Sequence, residues 1–197
     1  SVIDESVSPE KINIGVSSEP VVSVVIPVFN QIKYTLNCLK SISENLPNVP
    51  IEVIVIDDCS SDETPELLSK IKGLRVLRNS SNLGFLKSCN VAARSSEGEY
   101  IFLLNNDTCV TEGWLDALVS VFERCEDAGI VGSKLLYPDG SLQEAGGIIW
   151  QDGSGWNYGR NENPSLPQFN YLKKVDYISG AAILFRADWF REIEGFD

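Results

Sequence analysis

The chain has 197 residues, 28 acidic against 16 basic for a formal net charge of −12, and 43% hydrophobic residues. That is enough apolar material for one buried core, and too acidic a balance for a broad footprint on nucleic acid or an anionic membrane surface. The sequence contains no His, which removes the usual general base and every His-containing zinc site and leaves carboxylates to carry acid, base or metal chemistry.

Residues 1–20 mix Ser, Pro and Glu without a sustained period and are predicted to form a linker or an extended lead-in. Val21–Phe29, Ile51–Ile56, Leu74–Leu77 and Tyr100–Leu104 are short apolar runs that predict buried strands. Ile32–Asn45, Asp62–Lys70, Phe85–Ser96 and Trp114–Glu126 have helical length, and in the first of them Ile32, Leu36, Leu39 and Ile42 fall at helical spacing. Strand and helix thus alternate four times, which predicts parallel strands, right-handed crossovers and a ligand outside the carboxyl ends of the strands. A fifth strand is expected over Gly129–Leu136, ending at the turn Tyr137-Pro138-Asp139-Gly140, after which Gly- and Trp-rich sequence runs to Asn170. Val175–Phe185 is predicted as a strand with a small-residue break at Ser179-Gly180-Ala181, followed by a short helix over Ala187–Ile193. Trp114 and Trp189 lie in helical patterns and are expected in the core. The least polar stretch, Val21–Ile32, is far short of a membrane-spanning helix. Cys38, Cys59, Cys89, Cys109 and Cys125, odd in number and without a CxxC pair, are expected to be reduced core thiols.

The candidate chemistry collects at strand ends. The first strand runs into Pro27-Val28-Phe29-Asn30, where Pro ends the ladder and Asn30 can bond its own turn. The second ends in Asp57-Asp58-Cys59-Ser60-Ser61-Asp62, and two adjacent acids are more than a helix cap requires, so one acid can face the crevice while its neighbour anchors the loop. Asn82 and Gly84 precede a helix whose first-turn amides suit an anion, although the same residues would serve a plain turn, with Asn90 pointing to solvent. Tyr100–Leu104 delivers Asn105-Asn106-Asp107, a carboxylate and two amides that supply hard oxygen ligands for Mg²⁺ or Mn²⁺ and equally the makings of a cap. The combination of acids at the ends of the second and fourth strands, converging on one rim, is much rarer than its parts. There is no GxGxxG after the first strand and no GxxxxGK[ST], hence neither a dinucleotide fingerprint nor a P-loop.

In this order the motifs resemble the large family 2 of inverting, nucleotide-sugar-dependent glycosyltransferases, over about Val21 to Asp197. The resemblance implies an α/β GT-A fold, a Rossmann-like, mostly parallel central sheet flanked by helices with a smaller mixed acceptor-side subregion. It divides the chain into a nucleotide-sugar-binding half, 21–136, and a partial acceptor-binding half, 137–197. Pro27, Val28, Phe29 and Asn30 are similar to the family's first motif, and Asp57-Asp58-Cys59-Ser60-Ser61-Asp62 to its Asp-Asp-Gly-Ser-x-Asp motif, with Cys59 where Gly is usual and Asp58 at the position that binds the nucleoside base. Asn82, Gly84 and Asn90 resemble the loop and helix beside the donor. Asn105-Asn106-Asp107 resembles the DXD element, with Asp107 matching the metal-binding acid and Asn105 a departure common to the rhamnosyltransferase-like branch. Ala145-Gly146-Gly147, Gly153 to Arg160, Asp176 to Ala181 and Gly195-Phe196-Asp197 resemble members that build bacterial cell-surface polysaccharides such as O-antigen. The implied partners are a UDP-, dTDP- or GDP-linked sugar donor, Mn²⁺ or Mg²⁺, and a saccharide or lipid-linked saccharide acceptor, with no nucleic acid and no transmembrane segment. The implied location is the cytoplasm or the inner face of the membrane. On the acceptor side, Trp156 and Arg160 amid Gly, together with Ser179 and Gly180, are the candidates, with Trp150 and Tyr158 as further stacking rings. The family's catalytic base is an acid shortly after the Gly-Phe-Asp, so it is expected beyond Asp197, in a longer chain with further domains.

Three other readings compete. A phosphate-responsive receiver would carry its acid pair after the first strand, where this chain has Val28-Phe29-Asn30. A sugar-nucleotide pyrophosphorylase would open with a Gly-rich, Arg-containing loop that is missing here. A non-catalytic glycan- or nucleotide-binding scaffold domain of a larger synthase would bind nucleotide weakly or not at all.

Overall fold

The computed structural model describes residues 3–197. Four strands, β1 (Val22–Val28), β2 (Ile51–Asp57), β3 (Leu74–Arg78) and β4 (Tyr100–Leu104), run parallel in the order β3-β2-β1-β4. The sheet continues from β4 through β10 (Ala182–Arg186) to β5 (Ile130–Gly132), with β10 antiparallel to both neighbours. The predicted alternation therefore gives the parallel part correctly, and one later segment returns between β4 and β5 in the opposite sense.

Every residue of β1, β2 and β4 is buried because helices cover both faces. The pleat sorts their side chains. Val53 and Val55 of β2 and Tyr100, Phe102 and Leu104 of β4 join one core with helix α1 (Ile32–Glu44) and helix α4 (Asp116–Arg124). Ile54, Ile56, Ile101 and Leu103 join the other, with helix α3 (Phe85–Arg94) and helix α5 (Ala187–Glu192). The short helix α2 (Thr64–Leu68) leads from β2 towards β3. The lead-in contributes as well: Ile12 and Ile14 are buried in the first core, and Ile14 N donates to Lys72 O at 3.0 Å.

Several predicted boundaries move for local reasons. The expected strand Gly129–Leu136 splits: β5 stops at Gly132, and Leu135–Leu136 forms β6, paired with β7 (Leu142–Glu144). Ile178 lies across Gly132 so closely that a Cβ there would sit 2.0 Å from its Cγ2. The expected strand Val175–Phe185 is strand only from Ala182, because Tyr177 bridges to Gly147 at the head of hairpin β8 (Gly147–Ile149) and β9 (Gly155–Asn157). Helix α2 is shorter than the predicted Asp62–Lys70, since Asp62 accepts from Thr64 N at 3.0 Å as a turn ahead of it and Pro65 suits a first helical turn. Trp189, expected in the core, is exposed, with its ring lying over Gly129, whereas Trp114 is partly buried and donates from Nε1 to Asn45 O at 3.0 Å. Of the five cysteines only Cys38 and Cys89 are core thiols; Cys59 and Cys125 are half-buried and Cys109 is exposed. Burial pushes Cys38 and Cys89 each up to about 12, so neither is a nucleophile at neutral pH. Among the described residues no helix is long and apolar enough to cross a membrane.

Candidate functional site

The carboxyl ends of β1, β2 and β4 form one rim, set by register. Val28 lies opposite Asp57 and Val25 opposite Leu103, which brings Asn105 level with Pro27. Pro27 ends the ladder on one side only: pairing with β4 stops at Val25, while pairing with β2 runs on to Val28 and is extended by Asp58 N donating to Val28 O at 2.8 Å. Phe29 then turns out, 51% exposed, ahead of Asn30 and Gln31 at φ 55° and 58°. Two consecutive left-handed residues are costly, and cross-links from the loop after β2 hold them. Asn30 N donates to Ser60 Oγ at 2.7 Å, and Asn30 Oδ1 accepts from Ser61 N at 2.8 Å.

The acids after β2 divide their work. Asp57 is buried and accepts from Arg78 Nη1 and from Ser60 N, while Arg78 Nη2 holds Ser60 O at 2.8 Å. Asp58 is 4% exposed and turns the other way, accepting from Asn79 Nδ2, Leu83 N and Gly84 N, each at 2.8 Å. Burial opposes its ionisation, but the Leu83, Asn79 and Gly84 hydrogen bonds outweigh it and hold the carboxyl below its ordinary range. The anion at the head of α3 is thus Asp58 itself, and Asn82 Oδ1 shares the Gly84 amide at 3.1 Å. Asp62 is likewise lowered, burial again being outweighed by hydrogen bonds from Thr64 and from the amides of Ile32 and Gln31. Cys59 has φ 65°, the left-handed conformation in which glycine is unstrained, which accounts for Gly being usual at this position of the motif.

Asn105-Asn106-Asp107 follows β4 with a different character. Asn105 N donates to Ala181 O at 2.9 Å, and its carbonyl accepts from Thr108 N and Oγ1. Asn106 Nδ2 donates to Thr35 Oγ1 on α1 at 3.0 Å, which leaves its amide oxygen available. Asp107 is exposed and makes no hydrogen bond or ion pair among the described residues. No three Cys, Asp or Glu side chains among the described residues cluster as a metal cage. One carboxylate beside amide oxygens, with remaining positions left to phosphate and water, nevertheless fits Mg²⁺ or Mn²⁺, which are commonly held through one or two carboxylates plus a substrate phosphate.

The other expected residues are dispersed. Asn90 neither faces solvent nor opens to the rim: it is buried on α3, donates to Phe196 O at 2.8 Å and accepts from Phe196 N at 2.9 Å. Trp156 is exposed in hairpin β8–β9, with its ring 6.5 Å from that of Trp150, and Arg160 is exposed beyond it. Tyr158, grouped with them as a stacking ring, is covered instead by Phe169 and by Lys173, whose Nζ lies 3.3 Å from the ring centre. Ser179 and Gly180 stand beside β4 through Ala181, and a Cβ on Gly180 would meet nothing within 4 Å. Sequence reasoning missed Arg78, Asn79 and Glu144. Glu144 is 2% exposed, accepts from Ser179 N at 3.0 Å, and is raised in pKa by burial against that hydrogen bond. Its shared strand face with Leu142 was the signal for an inward carboxylate.

A Rossmann-like, mostly parallel sheet with an antiparallel strand next to β4, and strand-end acids gathered on one rim, is the architecture of a GT-A fold. Residues 23–194 match the family model of Glycosyl transferase family 2, and the chain belongs to that family. Among curated relatives it is 29% identical over 196 residues to the O-antigen biosynthesis protein RfbC of Myxococcus xanthus, covering 95% of this chain and 15% of that protein. It is 31% identical over 118 residues to the poly(ribitol-phosphate) beta-N-acetylglucosaminyltransferase TarS of Staphylococcus aureus, covering 57% of this chain and 21% of that one. Among solved structures, S. aureus TarS 1–349 in complex with UDP-GlcNAc superposes with a TM-score of 0.62 at 21% identity, over 89% of this chain and 48% of that chain. The mannosyltransferase PcManGT from Pyrobaculum calidifontis, in complex with GDP-Man and Mn²⁺, gives 0.63 at 18% identity, over 92% and 48%. The chain therefore spans about half of these structures and a smaller part of the curated relatives.

Proposed function

We propose that the chain is the donor-binding part of an inverting glycosyltransferase that moves a sugar from a nucleoside diphosphate to a hydroxyl of a saccharide or lipid-linked saccharide acceptor, in bacterial cell-surface polysaccharide synthesis of the O-antigen kind. The observation that carries this reading is Asp107: of the four aspartates at the rim, Asp57, Asp58 and Asp62 are engaged by internal donors, and Asp107 alone is exposed and unengaged among the described residues. The relatives named for O-antigen biosynthesis and for acetylglucosaminyl transfer support the same direction. In this reading Pro27 to Asn30 and the Asp57–Asp58 loop border the nucleoside, and Asn82 and Gly84 border the diphosphate. Asn105, Asn106 and Asp107 hold a divalent cation, Mn²⁺ or Mg²⁺, which when bound neutralises charge on the leaving diphosphate.

The acceptor hydroxyl attacks the anomeric carbon from the face opposite the nucleotide, the new carbon–oxygen bond forms as the bond to phosphate breaks, and the nucleoside diphosphate departs. The hydroxyl proton passes to an acid that the family resemblance puts after Gly195-Phe196-Asp197. Trp156 offers an exposed ring face for an acceptor sugar, Arg160 a cation for an acceptor anion, and Ser179 and Gly180 an open edge beside β4. Work in the cytoplasm or at the inner face of the membrane, where sugar nucleotides are supplied, belongs to the same proposal.

The test is calorimetric titration of UDP, dTDP and GDP with Mn²⁺ or Mg²⁺ and again with EDTA, on wild type and Asp107→Asn. One nucleotide is expected to bind in a cation-dependent manner, with affinity falling at least about tenfold in the variant while its stability stays within about 0.5 kcal/mol. Binding that is indifferent to EDTA and to Asp107→Asn would overturn the assignment of Asp107, and absence of binding by every nucleotide would favour the non-catalytic scaffold.

A further inference from the structure

Glu144 is a buried carboxylate with no place in the transfer reaction as proposed above. It ends β7, well along the chain from the β4 rim, and its Oε1 accepts the amide of Ser179 at 3.0 Å. Its other oxygen has no hydrogen-bond partner among the described residues, and the residue lines a cavity of about 560 Å³ between β5 and residues 169–178. Burying a carboxylate for one backbone hydrogen bond is expensive.

What Ser179 leads to gives the contact its use. The Ser179 hydroxyl accepts from Ala181 N at 3.3 Å, closing a tight turn over Gly180, and Ala181 O accepts from Asn105 N at 2.9 Å. Carboxylate, turn and rim are linked in series: Glu144 to Ser179, Ser179 to Ala181, Ala181 to Asn105. The flank just before the turn is fixed separately, by Tyr177 O accepting from Gly147 N at 3.0 Å and by Ile178 lying on Gly132. Between that flank and β10, the Glu144 carboxylate is the side chain from outside the segment that holds the turn, among the described residues. Without it the Ser179 amide has no acceptor among the described residues, and the Ser179 end of the turn keeps only its own hydroxyl contact, while its Ala181 end stays tied to β4 and β5 through Asn105 N, the Ala182–Leu104 pairing and Ser133 N.

We propose that Glu144 is a positioning residue for the β4 rim: its carboxylate fixes the Ser179–Ala181 turn, and the turn fixes the backbone of Asn105 so that Asp107 is presented at one orientation. The consequence for ligand binding rests on the reading of that rim as the donor site, while the consequence for the backbone does not.

The test therefore has two readouts, amide hydrogen exchange by NMR and titration of Mn²⁺ with UDP, dTDP and GDP in turn, on wild type, Glu144→Ala, Glu144→Gln and, as a control lining the same cavity, Lys174→Ala. In Glu144→Ala, exchange at Ser179 and Asn105 is expected to rise at least about tenfold while the amides of β1 and β2 are unchanged, and nucleotide affinity in the presence of Mn²⁺ is expected to fall about 10–100-fold, as for loss of an outer-shell support. Glu144→Gln, whose amide oxygen can still accept from Ser179, is expected to restore both, and Lys174→Ala to change neither. Should Glu144→Ala fail to fold, Glu144→Asp, shorter by one methylene, carries the same expectations. Unchanged exchange at Asn105, or a rise spread evenly over β1 and β2, would overturn the proposal. Exchange as expected in a wild-type protein that binds no nucleotide would uphold the positioning role and overturn the donor-site reading instead.

Discussion

Asp58 offers the sharpest check on the division of labour along the rim. Its carboxylate takes three donors at 2.8 Å while the residue is only 4% exposed. In Asp58→Asn the side chain keeps one acceptor oxygen and gains two donors, so it must turn an NH₂ group towards at least one backbone amide. Three charge-assisted bonds become at most two neutral ones, and the Gly84 amide is left with Asn82 Oδ1 as its acceptor. With about 1.5–3 kcal/mol for a bond to a charged group against about 1 kcal/mol for a neutral one, the loss is at least about 2.5 kcal/mol. It should be measured as the difference in unfolding free energy in urea at pH 7, with the denaturant slope checked for constancy.

The pH dependence has a fixed sign. The folded carboxyl titrates below its ordinary 3.8, so the unfolded state binds the proton more readily. The Asp58 contribution is fully present above about pH 4 and is lost as pH falls through the folded value. The gap between wild type and Asp58→Asn should be flat from pH 7 to pH 5 and close in the acid range below that. A loss under about 1 kcal/mol, or a gap that widens on acidification, would refute the claim that Asp58 is the counter-anion of the α3 amides.

Three further outcomes follow from local geometry. Cys59→Gly relieves a left-handed side chain at φ 65° and, after the added freedom of the unfolded chain, should raise stability by about 0.5–1 kcal/mol, read as a shift in Tm. Asn90→Ala removes both hydrogen bonds to Phe196 and should cost about 2 kcal/mol, with faster hydrogen exchange at Phe196 and no change at Asn105. Gly195→Ala should cost at least as much, by the same urea assay, because its φ is 95° and its Cβ would fall 2.6 Å from Asn90 Oδ1.

The parts of the fold legible in the sequence were those written in periodicity. Buried strands such as β2 show as β-branched runs, Val53–Ile56 there, and α1 as an apolar stripe, because both burial patterns repeat over several residues. The sense of β10 was not legible: Ala182–Arg186 has the composition of any buried strand, and its direction is decided by distant events, Tyr177 bridging to Gly147 and Ile178 filling the space over Gly132. At the site, the pairing of Asp57 with Asp58 could be seen to imply one anchor and one crevice residue. That Asp58 is also an anchor depends on Asn79, Leu83 and Gly84 folding back over it, which no local pattern specifies. Asn90 misleads for the same reason, since its partner Phe196 lies 106 residues away.

A strand-end acid can build the loop or meet the ligand, and its hydrogen bonds distinguish the two. Asp57 and Asp58 point to opposite sides of the loop after β2, one onto Arg78 and Ser60 and the other onto the head of α3, so that this loop is braced from both directions. Bracing is needed because the loop also holds three left-handed residues in place, Asn30, Gln31 and Cys59, whose strain would otherwise relax the rim. The β4 loop is held differently: its backbone is fixed at Asn105 and its amide at Asn106, and its carboxylate is left outward. On the donor-site reading proposed above such asymmetry has a use, a rigid frame with one unsatisfied anionic group, because an acid already saturated by backbone donors has little left to offer a cation or a phosphate-bound metal. By that criterion Asp107 is where substitution should separate binding from stability, and Asp58 is where it should lose both together.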